Sequence, residues 1–307
     1  MADQVIVREV GLRDGLQLVR NFVETDIKSQ WISEQAKCGF SHIEVTSFVP
    51  PKLLPQFADA EDIVTHANTI SGLSASALVL NVKGAQRALD AGARTICFVL
   101  SASEMHNQSN VRCSADESMA MFAEIAQLAR DQYPTAKVAV AIATSFGCSL
   151  QGHVSRQRVQ EMASELAMLG AKEITLADTV GYANPQQVEE LFALVSEKIG
   201  NVPLAAHFHD TRGMGLANVT AALKSGVRIF DASLGGLGGC PFAPGATGNI
   251  STEDTVYMLE SMGYATGISM DRLLELRAKL EDWLPGEALQ GSVAKAGPAK
   301  TFAKDQA

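Results

Sequence analysis

"KCGFSHIEV", residues 37–45, carries the end of a helical pattern through a single glycine and a short loop into a β-branched run with one carboxylate in it. Gly39 suits the left-handed residue that closes a helix, and the run after it reads as a buried strand. The same join recurs as "DAGARTICF" (90–98), "MLGAKEITL" (168–176) and "KSGVRIFDA" (224–232). A strand that repeatedly follows a helix points to a parallel sheet, because parallel neighbours need a long return connection.

Outward from these joins, eight strands are expected, at 5–10, 42–48, 76–80, 95–100, 138–146, 173–179, 204–210 and 228–236, with helical patterns between them. Eight such units predict an α/β (β/α)8 TIM barrel, a fold of about 250 residues. A doubly wound open sheet is the alternative, but no G-x-G-x-x-G follows the first strand. Residues 1–290 read as one barrel domain with extra C-terminal helices, and 291–307 as a flexible tail.

The chain of 307 residues has a formal charge of −9, 47% hydrophobic and 19% charged residues. That balance suits a globular core and argues against nucleic acid, whose phosphates need concentrated Lys and Arg. Charges run through the first twenty residues, and no segment approaches the ~18 apolar residues that cross a bilayer. The expectation is a cytoplasmic protein with neither a membrane nor a nucleic-acid partner. Cysteines stand at 38, 97, 113, 148 and 240, with no CxxC spacing. They read as reduced thiols, Cys240 being a separate case.

In a barrel the chemistry gathers where the C-terminal ends of the strands open into loops. Polar residues collect there: Arg13, Asp14 and Gln17 after the first strand, Glu44 in the second, Asp178 at the end of the sixth, His207 and His209 in the seventh. Residues i and i+2 of a strand share a face, so the two imidazoles aim at one point. With a carboxylate they would make a mixed site for Mg²⁺, Mn²⁺ or Zn²⁺. Asp14 is the candidate, since the first and seventh strands flank the eighth. Two satisfied core histidines are the plainer reading. Arg13 suits an oxyanion stabiliser or an ion pair with Glu44, which as a buried carboxylate needs a partner or a task. The segment 235–249 has six glycines and two prolines around Cys240. By itself it reads as a turn-rich loop; the thiol after two glycines adds the alternative of a loop that brings a nucleophile or acid over a substrate. Asn249, at its far end, could return a carbonyl oxygen to a metal.

The stretches "REVGLRDGLQ" (8–17), "IEVTSFVPPKLLPQFADAEDI" (43–63), "SASEMHNQSNVRCS" (101–114), "HFHDTRGMGLAN" (207–218) and "GGLGGCPFAPGATGNISTEDTVYMLESMGY" (235–264) resemble the 3-hydroxy-3-methylglutaryl-CoA lyases, metal-dependent TIM-barrel enzymes. The resemblance implies cleavage of such a thioester to acetyl-CoA and acetoacetate, with Asp14, His207, His209 and Asn249 binding the cation, Mg²⁺ or Mn²⁺. It further implies that Arg13 supports the enolate oxygen and that Cys240 is catalytic. Glu44 and His207 stand as further catalytic candidates, either His207 or a carboxylate being the base, while Arg13, Gln17 and Asp178 are the substrate-binding candidates. An acyl-CoA partner, a homodimer and a role in leucine or related branched-acid breakdown belong to the same implication. Departures lie beside the reacting groups: Leu18, Val19 and Arg20 where the family has an Asn-Glu pair and a nearby Lys, Met105 for Thr, Ser149 for Pro, Gln151 for Glu. They allow a larger alkyl group at the branch carbon. A Claisen-type synthase and a non-catalytic barrel that binds metal or CoA are the rival readings.

Overall fold

The computed structural model of the protein describes residues 3–239 and 248–302. The helix-glycine-strand joins form as read: Gly39, Gly92, Gly170 and Gly226 have φ of 108°, 89°, 104° and 90°. At Gly39 even the space is closed, since a Cβ there would lie 2.1 Å from the carbonyl oxygen of Gly267.

The eight strands are β1 (Ile6–Glu9), β2 (His42–Ser47), β3 (Ser74–Val79), β4 (Thr95–Ser101), β5 (Lys137–Ala143), β6 (Ile174–Asp178), β7 (Leu204–Phe208) and β8 (Ile229–Ala232). They pair in sequence order into a closed barrel, all neighbours parallel. The (β/α)8 barrel is thus the observed fold. Eleven helices lie among the described residues: α1 (Thr25–Cys38), α2 (Ala60–Asn68), α3 (Val82–Asp90), α4 (Glu104–Val111), α5 (Ala115–Gln132), α6 (Arg156–Leu169), α7 (Pro185–Ser196), α8 (Gly215–Lys224), α9 (Thr252–Ser261), α10 (Met270–Trp283) and α11 (Val293–Ala296). None is long and apolar enough to cross a membrane.

The continuous apolar core sits between barrel and helices. Trp31 of α1 is fully buried and packs on Trp283 of α10, ring centroids 6.3 Å apart, which seats the C-terminal helix pair against the barrel. Truncating such a side chain costs about 3–5 kcal/mol. Beyond α11, Phe302 stacks on Tyr257 of α9 at 4.9 Å.

Three local departures from the sequence reading matter for function. β7 ends at Phe208, not 210, so His209 leaves the ladder and instead bridges antiparallel to Asn249. β8 ends at Ala232, and Leu234–Gly236 form a tight turn because Gly235 and Gly236 take positive φ. The short helix α4, unread in the sequence, is capped by Ser103, whose Oγ accepts the His106 N–H.

Toward the mouth, many inward residues of the barrel are small or polar where most barrels carry branched aliphatic ones. Arg8, Glu44, Cys97, Ala141, Thr175, Ala177, His207 and Asp231 line a cavity of about 330 Å³. The barrel is hollow where the chemistry is.

Candidate metal and active site

Asp14 reaches the cavity because the chain turns sharply as it leaves β1. Gly11–Gly15 form one wide helical turn in which Arg13, Asp14 and Gly15 all direct their N–H groups at the carbonyl of Val10. Such widened turns often mark functional positions. The turn sets Asp14 Oδ2 3.7 Å from Nε2 of His209 and 4.0 Å from Nε2 of His207. Ligand atoms of the three residues lie within 4.8 Å of one another. His207 and His209 do share the inward side, their ring centroids 5.1 Å apart.

Asn249 completes the cluster. Its Nδ2 donates to Asp14 Oδ2 at 2.6 Å and to the Leu237 carbonyl at 3.1 Å. Its Oδ1 is buried and has no hydrogen-bond partner among the described residues, and the same holds for His209 Nδ1. An orphaned buried acceptor beside a carboxylate and two imidazoles fits a cation of the Mg²⁺, Mn²⁺ or Zn²⁺ kind. Charge agrees. Asp14, Glu44, Asp231 and Glu173 face only Arg8 and Arg13 in this wall, an excess of two negative charges when all are ionised.

Arg13 joins the metal cluster to the cavity wall. Its Nε donates to Glu44 Oε2 and its Nη1 to Asp14 Oδ1, both at 2.6 Å. Burial alone would raise the Asp14 pKa, but Arg13, then His209 and His207, outweigh it and hold the carboxyl well below the usual range. At Glu44 burial wins over Arg13 and the pKa rises. Gln17 also lines the cavity. Asp178 does not: its oxygens accept the N–H groups of Tyr182 and Ala183, and it stands outside the lining. Cys240 lies outside the described residues, but Gly239, directly before it, borders the cavity.

Sequence reading missed Asp231 and Arg8. Asp231 Oδ2 lies 3.2 Å from His207 Nδ1, and its Oδ1 accepts from Arg8 Nε at 2.7 Å. Burial pushes Asp231 up, yet Arg8 and the His207 contact prevail and hold it at about 2. Asp231 had a signal, a lone charge in an apolar strand, the same signal that singled out Glu44, whereas Arg8 stands directly before Glu9 in β1. His106, on α4, also lines the cavity, with Nδ1 2.6 Å from the Ser101 hydroxyl.

Two further carboxylates anchor the glycine-rich segment from below. Glu9 accepts from the backbone of Gly11 and Leu234 and from the Thr252 hydroxyl, while Glu253 accepts from Gly235 N and Arg277 Nε. Burial raises each to about 7 against those hydrogen bonds. A carboxyl with a raised folded-state pKa stabilises most below its unfolded pKa, about 4.5, and loses that contribution as pH rises through 7. Metal-free protein should therefore lose stability between pH 5 and 8, by up to about 3 kcal/mol per group. Urea melts across that range should show the fall, reduced in Glu253→Gln. Parallel profiles for the two proteins would refute the assignment.

The chain is similar to known proteins over most of its length. A family model described as HMGL-like matches residues 4–280. The hydroxymethylglutaryl-CoA lyase YngG of Bacillus subtilis is 39% identical over 94% of this chain and 97% of its own. The mitochondrial hydroxymethylglutaryl-CoA lyase of Bos taurus is 40% identical over 90% of this chain and 84% of its own. Among solved structures, an HMG-CoA lyase from Acinetobacter baumannii, in complex with coenzyme A and 3-methylmalate, superposes with a TM-score of 0.92 at 42% identity, covering 98% of this chain and 97% of that one. A family match over residues 4–280 and relatives about 40% identical over nine-tenths of the chain leave one assignment: the chain belongs to the HMGL-like family, that of the hydroxymethylglutaryl-CoA lyases.

Proposed function

We propose that the protein is a divalent-metal-dependent carbon–carbon lyase that cleaves a 3-hydroxy-3-methylglutaryl-CoA-like thioester to acetyl-CoA and a 3-oxo acid, acetoacetate for the methyl substrate. The observation that carries this is the convergence of Asp14, His207, His209 and the orphaned Asn249 oxygen beside Arg13 in one hollow barrel mouth. Those four residues would hold Mg²⁺ or Mn²⁺, which when bound supplies a Lewis acid that lowers the pKa of the substrate's tertiary hydroxyl.

The chain's own groups do the rest. Breaking the bond beside that hydroxyl takes its proton and leaves the departing fragment as a thioester enolate. Glu44 stands as the base in this wall, its raised pKa making it the better proton acceptor of the buried carboxylates around Arg13, while both His207 nitrogens are committed, Nδ1 to Asp231 and Nε2 to the metal cluster. Arg13 stays charged throughout and faces the cavity, where it stabilises the enolate oxygen; its Nη2 is engaged by neither carboxylate. Cys240, one residue past the cavity-bordering Gly239, returns a proton to the enolate carbon.

A second reading keeps the mechanism and enlarges the branch substituent. Val49, Leu53, Leu54, Leu78, Leu80 and Val99 form an apolar wall on the β2–β4 side of the cavity. That wall offers apolar surface that an alkyl group longer than methyl would cover.

Incubated with the methyl substrate and Mg²⁺ or Mn²⁺, the protein should release acetyl-CoA and acetoacetate in equal amounts, and a chelator should stop it. The same assay with longer 3-alkyl analogues ranks the two readings by kcat/KM. Turnover indifferent to chelator would exclude the metal role.

A further inference from the structure

We propose that Asp231 is a positioning residue that fixes His207 in the tautomer whose Nε2 lone pair faces Asp14; the purpose of that tautomer rests on the metal-dependent reading above.

The strand register makes the contact. Asp231 on β8 stands level with Arg8 on β1 at one side and with His207 on β7 at the other. Parallel neighbours in register project to the same side, so all three enter the barrel together. Arg8 Nε donates to Asp231 Oδ1 at 2.7 Å, which leaves Oδ2 for His207 Nδ1 at 3.2 Å. Arg8 is in turn held by Glu173 at 2.5 Å and by the Thr175 hydroxyl at 3.3 Å. Four charged or ionisable side chains thus run in series across the barrel from Glu173 to His207.

A carboxylate paired with a guanidinium has no proton to give. The hydrogen in the Asp231–His207 contact therefore sits on Nδ1, and the neutral ring keeps its lone pair on Nε2. That atom is the one 4.0 Å from Asp14 Oδ2. His209 shows what the ring lacks without such a partner: its Nδ1 is buried and unbonded among the described residues, so no acceptor holds a hydrogen on that nitrogen. His207 is the ligand set in advance, His209 the one that adapts. Partners of this kind commonly change metal affinity 10–100-fold when removed.

Asp231→Asn gives the sharp test. The amide keeps an oxygen for Arg8 and turns an N–H toward His207 Nδ1, so the ring proton is driven to Nε2 and the ligand atom is blocked. In metal-free protein labelled with ¹⁵N-histidine, at a pH raised until the His207 ring is neutral, the His207 signals are assigned by their loss in His207→Gln. The wild type should show the proton on Nδ1, and Asp231→Asn should show it on Nε2. Calorimetric Mn²⁺ titration should give a Kd about 10–100-fold weaker in the variant. A residue that only supports the fold would lower Tm and leave both readouts unmoved, which would overturn the proposal. Should the variant not fold, the wild-type spectrum decides alone: a proton on Nε2 overturns it. A wild type that binds no Mn²⁺ would defeat the lyase reading, while the tautomer still answers for Asp231.

Discussion

Asp14→Ala is expected to lower kcat by about 10³-fold or more, some 4 kcal/mol of barrel-bound transition-state stabilisation. The size follows from what Asp14 does at once. It is the sole carboxylate of the ligand cluster, so without it a cation would face two imidazoles and an amide. It also accepts from Arg13, whose aim into the cavity depends on that bond. The loss should fall on kcat more than on KM, because the charge that a cation held by Asp14 would stabilise develops only as the substrate hydroxyl ionises. A fall in kcat of less than tenfold in steady-state assays would remove Asp14 from the site.

The second large effect is expected at Arg13. Arg13→Met should cost about 10²–10³ in kcat, the usual penalty for losing one oxyanion donor, while Mn²⁺ affinity changes only a few-fold. The single change also leaves Glu44 buried at 4% exposure with its guanidinium gone. Part of any loss could then reflect an unpaired carboxyl. The double variant Arg13→Met/Glu44→Gln tests the second cause through stability, since Glu44 is itself a proposed base: it should regain stability in denaturant melts. Recovery of turnover in the double variant would show both that Arg13 serves only to neutralise Glu44 and that Glu44 is not the base.

The barrel and the heart of the site were legible in the sequence for definite reasons. The helix-glycine-strand joins are local, and Gly39 has no alternative where a Cβ would meet the Gly267 carbonyl. The His207–His209 pair needs only the two-residue period of a strand, which survives even though His209 lies just beyond the last ladder pair. What was not legible is lateral. Asp231 is a lone carboxylate in an apolar run, as Glu44 is, yet its meaning depends on standing level with Arg8 and His207, and register across a closed barrel is not written in any one strand. Asp178 shows the converse. At a strand end it looks like Asp14, but its loop folds back and spends both oxygens on the N–H groups of residues 182 and 183. Short carboxylates often satisfy their own turns in this way, and only the backbone path tells the two uses apart.

Direct measurement of the cation tests the account most plainly. Calorimetric titration of the chelator-stripped protein with Mn²⁺ should give one site per chain in the wild type and no measurable binding in Asp14→Ala, with both proteins folded by circular dichroism. Equal binding by the two, or none by the wild type, would contradict the claim that these side chains form one metal centre.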